Sequence, residues 1–346
     1  MGMGTGTAAT LFLTLCALLC VSHSVQAADF AFEKAQKLAK SSAFITQALD
    51  QLILEARKIH DPVLRDSALR ILARPEFKFV SARISKESEI KKELSKEGLF
   101  DGKGSLFPVN DPMPFNLAPA GIWYGHHSYP GGLVIHTWTN LLHALSLSKD
   151  WKKVQGVQLN EDWLRAAVIW HDSAKTMTLS WNEDGSDTLS EEEIAGTGAH
   201  HIFGITEAAF RELPVDFILI LASAHSPPHP EAGLQAVIKY LKAAAIIAGK
   251  PYSVVGLDPT GKTLLKSPPL ECFIHHLSDH DWVATEPADR QVSERIEAQL
   301  NLKSHWERNR ILSRVGELSL YETLVKEGES GFKKRVDQLK STSGFQ

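Results

Sequence analysis

Residues 164–175 read LRAAVIWHDSAK. From Ala166 to Trp170 the run is apolar without a break, and it delivers an adjacent His171–Asp172 pair with Lys175 three residues later. An apolar run of this kind belongs in a core, and the helix it implies extends from Glu161 to about Ala174. An imidazole and a carboxylate at the end of a buried segment are costly unless both find partners. A hydrogen-bonded pair within the helix is one solution; a bound cation satisfies both groups at once. The dipeptide alone does not decide, because His60-Asp61 and His280-Asp281 repeat it. Asp61-Pro62 reads as a helix start, an N-cap followed by proline at the first helical position, so capping accounts for that aspartate.

Helical spacing continues on both sides. Phe32, Leu38, Ile45, Leu49, Leu52, Ile53 and Ala56 predict a helix from Asp29 to about Ile59. Pro75 is expected to open another, and the charges from Lys86 to Glu97 mark a solvated face. Gly98 to Gly121 is rich in Gly, Pro, Asn and Asp, and either links subdomains or lines a site. A helix over Leu133 to Leu147 follows, with His136, Asn140 and His143 close to one face. Beyond the central stretch, Asn182 to Asp187 is a polar turn, followed by the acidic run Glu191-Glu192-Glu193. Further helices are expected from about His200 to Leu213, over Phe217 to Ala224 with His225 at its end, and over Ala232 to Ala248. Leu270 to Ala284 carries His275, His276, Asp279, His280 and Asp281, and a charged helical tail runs from Ala288 and frays after Ser341. Strand alternation is almost missing and there is no internal repeat. The expected fold class is all-α.

The 346 residues are 43% hydrophobic and 23% charged, a globular composition with a full core. A net charge of −4 offers no pull towards long nucleic acid, although a mononucleotide or short oligonucleotide stays open. Residues 1–27 look like a secretory signal: Ala8 to Val21 is too short for a comfortable span, and Val25-Gln26-Ala27 suits a signal peptidase. The first ten residues lack the usual Lys or Arg, and Leu19 before Cys20 is too bulky for a usual lipobox. Cleavage after Ala27 would give a secreted or periplasmic protein; an uncleaved N-terminal anchor is the alternative. No later stretch is long and apolar enough to span a membrane. Cleavage removes Cys16 and Cys20 and leaves Cys272, so neither an internal disulfide nor a CxxC zinc site is possible in the mature chain.

Any metal must then be held by histidine and carboxylate, and most of the 15 histidines fall between His126 and His280. Five helical segments present such groups beside apolar sequence: His136, His171-Asp172, His200, His225 and Asp279. Helical bundles build metal sites from inward side chains of this kind. Imidazole and carboxylate without thiolate suit Mn, Fe, Co, Ni or Zn better than Mg or Ca.

The order His136, His171-Asp172 and a distant Asp279 resembles the H…HD…D signature of the HD-domain metal-dependent phosphohydrolases. Pro130-Gly131-Gly132-Leu133-Val134-Ile135-His136 is similar to the GGLLEHT segment of HD-type 3′–5′ exoribonucleases and related nucleotide hydrolases, with Ile135 where that branch carries an acidic residue. His126-His127-Ser128-Tyr129 matches the paired histidines before it, and Asp172-Ser173-Ala174-Lys175 matches a DxxK extension. His200-His201-Ile202-Phe203-Gly204 resembles the histidine-then-glycine element of dinuclear members, and His225 their next histidine. The resemblance covers about residues 121–290.

It implies an HD-like helical bundle over 121–290, with a helical region at 28–100, a linker at 101–120 and C-terminal helices at 291–346. It implies a first metal on His136, His171, Asp172 and Asp279, and a second on His200 and His225 that Asp172 bridges. His201 is the alternative to His200, and Asp281 to Asp279. Two divalent ions, Mn or Fe first, with Co, Ni, Zn or Mg open, would supply a metal-bound hydroxide to attack a phosphomonoester or phosphodiester. Lys175 would be catalytic beside Asp172 and would also meet the substrate, as would His126 and His127. Trp123, Tyr124, Trp170, Trp181 and Trp282 are candidates to stack on a base, or else core and rim residues. The expected substrate is small and phosphorylated or nucleotide-like. An HD-fold dinuclear iron oxygenase is the alternative, and a non-catalytic metal- or ligand-binding protein a third.

Overall fold

The computed structural model describes residues 30–108, 111–123, 125–301 and 304–341. The expected signal segment 1–27, Tyr124 and the tail beyond 341 lie outside the described residues. In chain order the helices are α1 (30–41), α2 (Ala43–Arg57), α3 (Pro62–Ala73), α4 (Lys78–Arg83), α5 (Glu87–Lys96), α6 (Gly132–Gln155), α7 (Glu161–Trp170) and the short α8 (Lys175–Thr178). Two small antiparallel hairpins follow, β1 (Leu179–Trp181) with β2 (Asp187–Leu189) and β3 (Glu193–Ile194) with β4 (Thr197–Gly198). Then come α9 (Ala199–Phe210), α10 (Val215–Ala222), α11 (Glu231–Ala248), α12 (Glu271–Asp279), α13 (Asp281–Leu300), α14 (Trp306–Val315) and α15 (Glu317–Ser341), the last broken at Gly328. The fold is all-α. No helix among the described residues is long and apolar enough to cross a membrane.

Helix α7 is the hub. Asn160 caps it, its side chain accepting from the N–H groups of Asp162 and Trp163, and Leu164 and Ala166 to Trp170 are all buried. From Ala166 to Trp170 the helix is apolar on every side and must be covered on every side, and α2, α3, α6, α10 and α12 pack on α7. Trp170 is fully buried, edge-on to Phe217 at 5.9 Å. Burying a ring of that size contributes roughly 2–3 kcal/mol. One apolar cluster continues from Ala39 to Leu339, and a smaller one joins Ala31, Ala35 and Leu38 of α1 to Trp181 and Trp306.

Several boundaries differ from the periodicity. The helix expected from Asp29 to Ile59 is broken at Ser42, whose hydroxyl accepts from Ile45 N–H and donates to Ser313 O, so a cap interrupts an otherwise helical pattern. Asp61 caps α3 with Pro62 at the first position, as expected. Pro75 does not open a helix; α4 begins at Lys78. Helix α7 ends at Trp170 rather than Ala174, because the chain turns through 171–174. The polar turn at Asn182–Asp187 closes the β1–β2 hairpin. The stretch from Gly98 to Gly121 buries Leu99, Phe100, Leu106, Phe107, Phe115 and Leu117, and its end lines the cleft that also holds His136 and Asp172.

Candidate metal centre

The cleft of about 430 Å³ gathers side chains from separate helices. His136 lies in the second turn of α6, whose N-cap Gly131 takes the left-handed φ of 86°. His171 and Asp172 sit where α7 stops, Asp279 ends α12, His200 opens α9 and His225 follows α10. The turn at 171–174 aims the pair: Lys175 N–H returns to Asp172 O at 2.9 Å. His171 Nδ1 donates to Val168 O at 2.8 Å. A carbonyl only accepts, so the neutral ring presents its Nε2 lone pair to the cleft.

Four ligand atoms meet there. His136 Nε2 is 3.2 Å from Asp172 Oδ2 and 3.2 Å from Asp279 Oδ1. His171 Nε2 is 3.4 Å from Asp172 Oδ2, 3.0 Å from Asp279 Oδ1 and 3.3 Å from His136 Nε2. Ligands about 2.1 Å from one ion at ordinary angles stand about 3.0 to 3.4 Å apart, so this buried cluster could hold a metal ion. A second group shares Asp172: its Oδ1 is 3.6 Å from His200 Nε2 and 4.0 Å from His225 Nε2. That buried Oδ1 has no hydrogen-bond partner among the described residues. An orphaned carboxylate oxygen facing two imidazoles fits a cation better than it fits a closed hydrogen-bond network.

The electrostatics point the same way. Burial opposes charge on His171, yet Asp172 and Asp279 raise its pKa to about 10. Burial likewise opposes ionisation of Asp172, but Lys175 and His171 hold it well below the usual carboxylate range; His171 and His136 do the same for Asp279. The site therefore holds two carboxylates ionised and draws a proton to His171, where a cation would compete for the same lone pair. His225 is buried and drops to about 3, and burial also lowers His126 well below the ordinary value. Both remain neutral ligands or hydrogen-bond partners at neutral pH.

Between the alternatives, His200 faces Asp172, whereas His201 is fully buried, stacked on His225 at 4.1 Å and directed to Ala222 O. Asp279 joins the cluster, while Asp281 lies 4.0 Å from the exposed His143. Lys175 Nζ reaches Asp172 Oδ2 and Ala120 O, each at 2.6 Å. His126 lines the cleft, stacked on Trp282 at 4.6 Å, and its Nε2 has no partner among the described residues. His127, expected beside the substrate, turns the other way: its backbone N–H and Nδ1 meet Glu317, so it lies outside the cleft lining. Trp170 and Trp181 are core residues and Trp123 is exposed, so among the described residues of that set Trp282 is the one that lines the cleft; Tyr124 lies outside them. Glu191, which accepts from His200 Nδ1, and Thr197, which meets His225 Nδ1, belong to no motif in the sequence. An acidic residue nine positions before a candidate histidine was the available signal, and it is weak without the hairpins.

Comparison with known proteins adds one relative. The chain is 32% identical over 135 residues to the dihydroneopterin 2′,3′-cyclic phosphate phosphodiesterase of Methanocaldococcus jannaschii. The match takes in 38% of this chain and 53% of that protein, so the chain spans about half the length of the curated relative it matches. No protein-family model matches the chain. No solved structure matches it either.

Proposed function

We propose that this chain is a metal-dependent phosphodiesterase of the HD-domain phosphohydrolase type, acting on a small, nucleotide-like phosphodiester. The observation that carries this reading is the meeting of His136, His171, Asp172 and Asp279, with the free oxygen of Asp172 turned to His200 and His225. The similar protein from Methanocaldococcus jannaschii is a phosphodiesterase, which supports phosphodiester over phosphomonoester chemistry. A cleft of about 430 Å³ suits a small molecule.

In this reading His136, His171, Asp172 and Asp279 would hold one divalent ion, and Asp172, His200 and His225 would hold a second; Mn or Fe would suit this donor set. Bound ions supply Lewis acidity and lower the pKa of the attacking water. The chain's own groups do the rest. Lys175, held between Asp172 and Ala120 O, offers a fixed positive charge to the phosphoryl or leaving oxygen. His126 offers its unpartnered Nε2 to the leaving group, and Trp282 backs it with a flat apolar face. His127, paired with Glu317, anchors the loop that carries His126. Export after loss of residues 1–27 belongs to the same proposal.

The test is a hydrolysis panel on metal-analysed protein: bis(p-nitrophenyl) phosphate, p-nitrophenyl phosphate and 2′,3′-cyclic nucleotides, with Mn²⁺ and then Fe, Co, Ni and Zn. Metal-dependent cleavage of diesters ahead of the monoester is expected. Failure to cleave any phosphoester with any of these ions, alongside oxygen uptake by the iron form, would sink the hydrolase reading.

A further inference from the structure

The two ligand groups are oriented by different parts of the chain. In the first, the contacts of His171, His136 and Asp279 come from helices that carry the ligands. His171 Nδ1 is fixed by Val168 O, three residues back in α7. Asn140, one turn along α6 from His136, places its Nδ2 3.0 Å from His136 Nε2 and 3.1 Å from Asp279 Oδ1.

In the second, both orienting groups come from the hairpin segment between α8 and α9. Glu191 sets Oε1 and Oε2 2.8 and 2.9 Å from His200 Nδ1, and its Oε2 also accepts the His200 backbone N–H at 2.7 Å. A carboxylate can only accept here, so the proton sits on Nδ1 and Nε2 is left facing Asp172 Oδ1. Thr197 Oγ1 lies 3.1 Å from His225 Nδ1, where its hydroxyl can accept the ring N–H and leave Nε2 towards Asp172. The neighbouring glutamate does not share this role, because Glu192 turns to the Gly104 N–H. Space for the contact is built in as well. A Cβ at Gly198 would fall 2.5 Å from Glu191 Oε1 and 2.9 Å from His200 Nδ1. The side chain of Glu191 is 6% exposed, so its carboxylate is committed to this contact and not to solvent.

We infer that Glu191 and Thr197 are positioning residues that build the second cation position separately from the first, so that the hairpin segment controls whether one ion or two are held. The inference rests on the metal reading above. Loss of the Glu191 carboxylate frees the His200 ring to rotate and change tautomer, whereas His171 takes its Nδ1 contact from Val168 O within α7.

Mn²⁺ binding to the purified chain, followed by calorimetry and electron paramagnetic resonance, tests this. Wild type should take two ions and give an exchange-coupled signal. Glu191→Ala should keep one tight ion, weaken the second by about 10- to 100-fold and show an isolated-ion signal instead. Glu191→Gln retains an acceptor oxygen for Nδ1 and should recover most of the second affinity. Thr197→Val should weaken the second ion in the same sense, as should Gly198→Ala, which removes neither side chain and serves if Glu191→Ala fails to fold. Two ions bound to Glu191→Ala with wild-type affinity and a coupled signal would overturn the inference. So would loss of both ions together from a variant whose circular dichroism and melting are unchanged. Absence of any divalent-ion binding to the wild type is a different result, and it would defeat the metal reading itself.

Discussion

The two oxygens of Asp172 keep different company. Oδ2 meets Lys175 at 2.6 Å and His136 at 3.2 Å, while Oδ1 is buried with imidazoles at 3.6 and 4.0 Å and no hydrogen bond among the described residues. A carboxylate shared in this way links both ligand groups, so Asp172→Ala should empty both at once. Metal content measured by mass spectrometry should fall to background, and turnover by about 10³-fold or more, with the circular dichroism spectrum kept. Full metal and activity in that variant would mean that the site lies elsewhere. Lys175 supplies charge without belonging to either ligand group. Lys175→Ala should therefore retain metal and lose kcat by about 10²-fold or more; a fall in metal content with unchanged kcat per bound ion would make it structural.

At the level of elements, α13 carries a polar group that the cleft does not use. Asp289 is 1% exposed, and neither of its oxygens finds a hydrogen-bond partner among the described residues. Burial and then the Glu317 carboxylate at the start of α15 push its pKa up to about 7 from 3.8; His127 pulls it down, while Asp281 and Glu286 add to the rise. Between about pH 4 and pH 7 the folded chain holds a proton that the unfolded chain has released, so this group costs stability as pH rises. Asp289→Asn should raise the melting temperature near neutral pH, by the equivalent of on the order of a few kcal/mol, and leave it almost unchanged near pH 4. An equal shift at both would show that the carboxylate's charge is not the cause.

For the whole molecule, the candidate ligands are drawn from α6, the end of α7, α9, the segment after α10 and α12, so a bound ion would clamp the bundle together. A cation that binds only the folded form stabilises it by mass action, by roughly 2.7 kcal/mol at 100 times Kd. Chelation should lower the melting temperature, and Mn²⁺ should restore both temperature and activity; a melting curve indifferent to chelator would mean that no ion is clamped there. Much of this frame was legible along the chain. The unbroken apolar run Ala166 to Trp170 required a covered helix, and Asp61-Pro62 a helix start. These follow from local period, backbone preference and residue chemistry, which act over a few positions. Which of two neighbours faces inward does not follow, because adjacent residues on a helix point about 100° apart and packing selects the face. The family resemblance, not local period, favoured His200 over His201 and Asp279 over Asp281, and the tertiary structure brings both favoured residues to the cleft; it also turned His127 to Glu317, 190 residues away. It also folded two short hairpins so that Glu191 and Thr197 stand behind His200 and His225, a contact set by the path of the chain and not by any local preference.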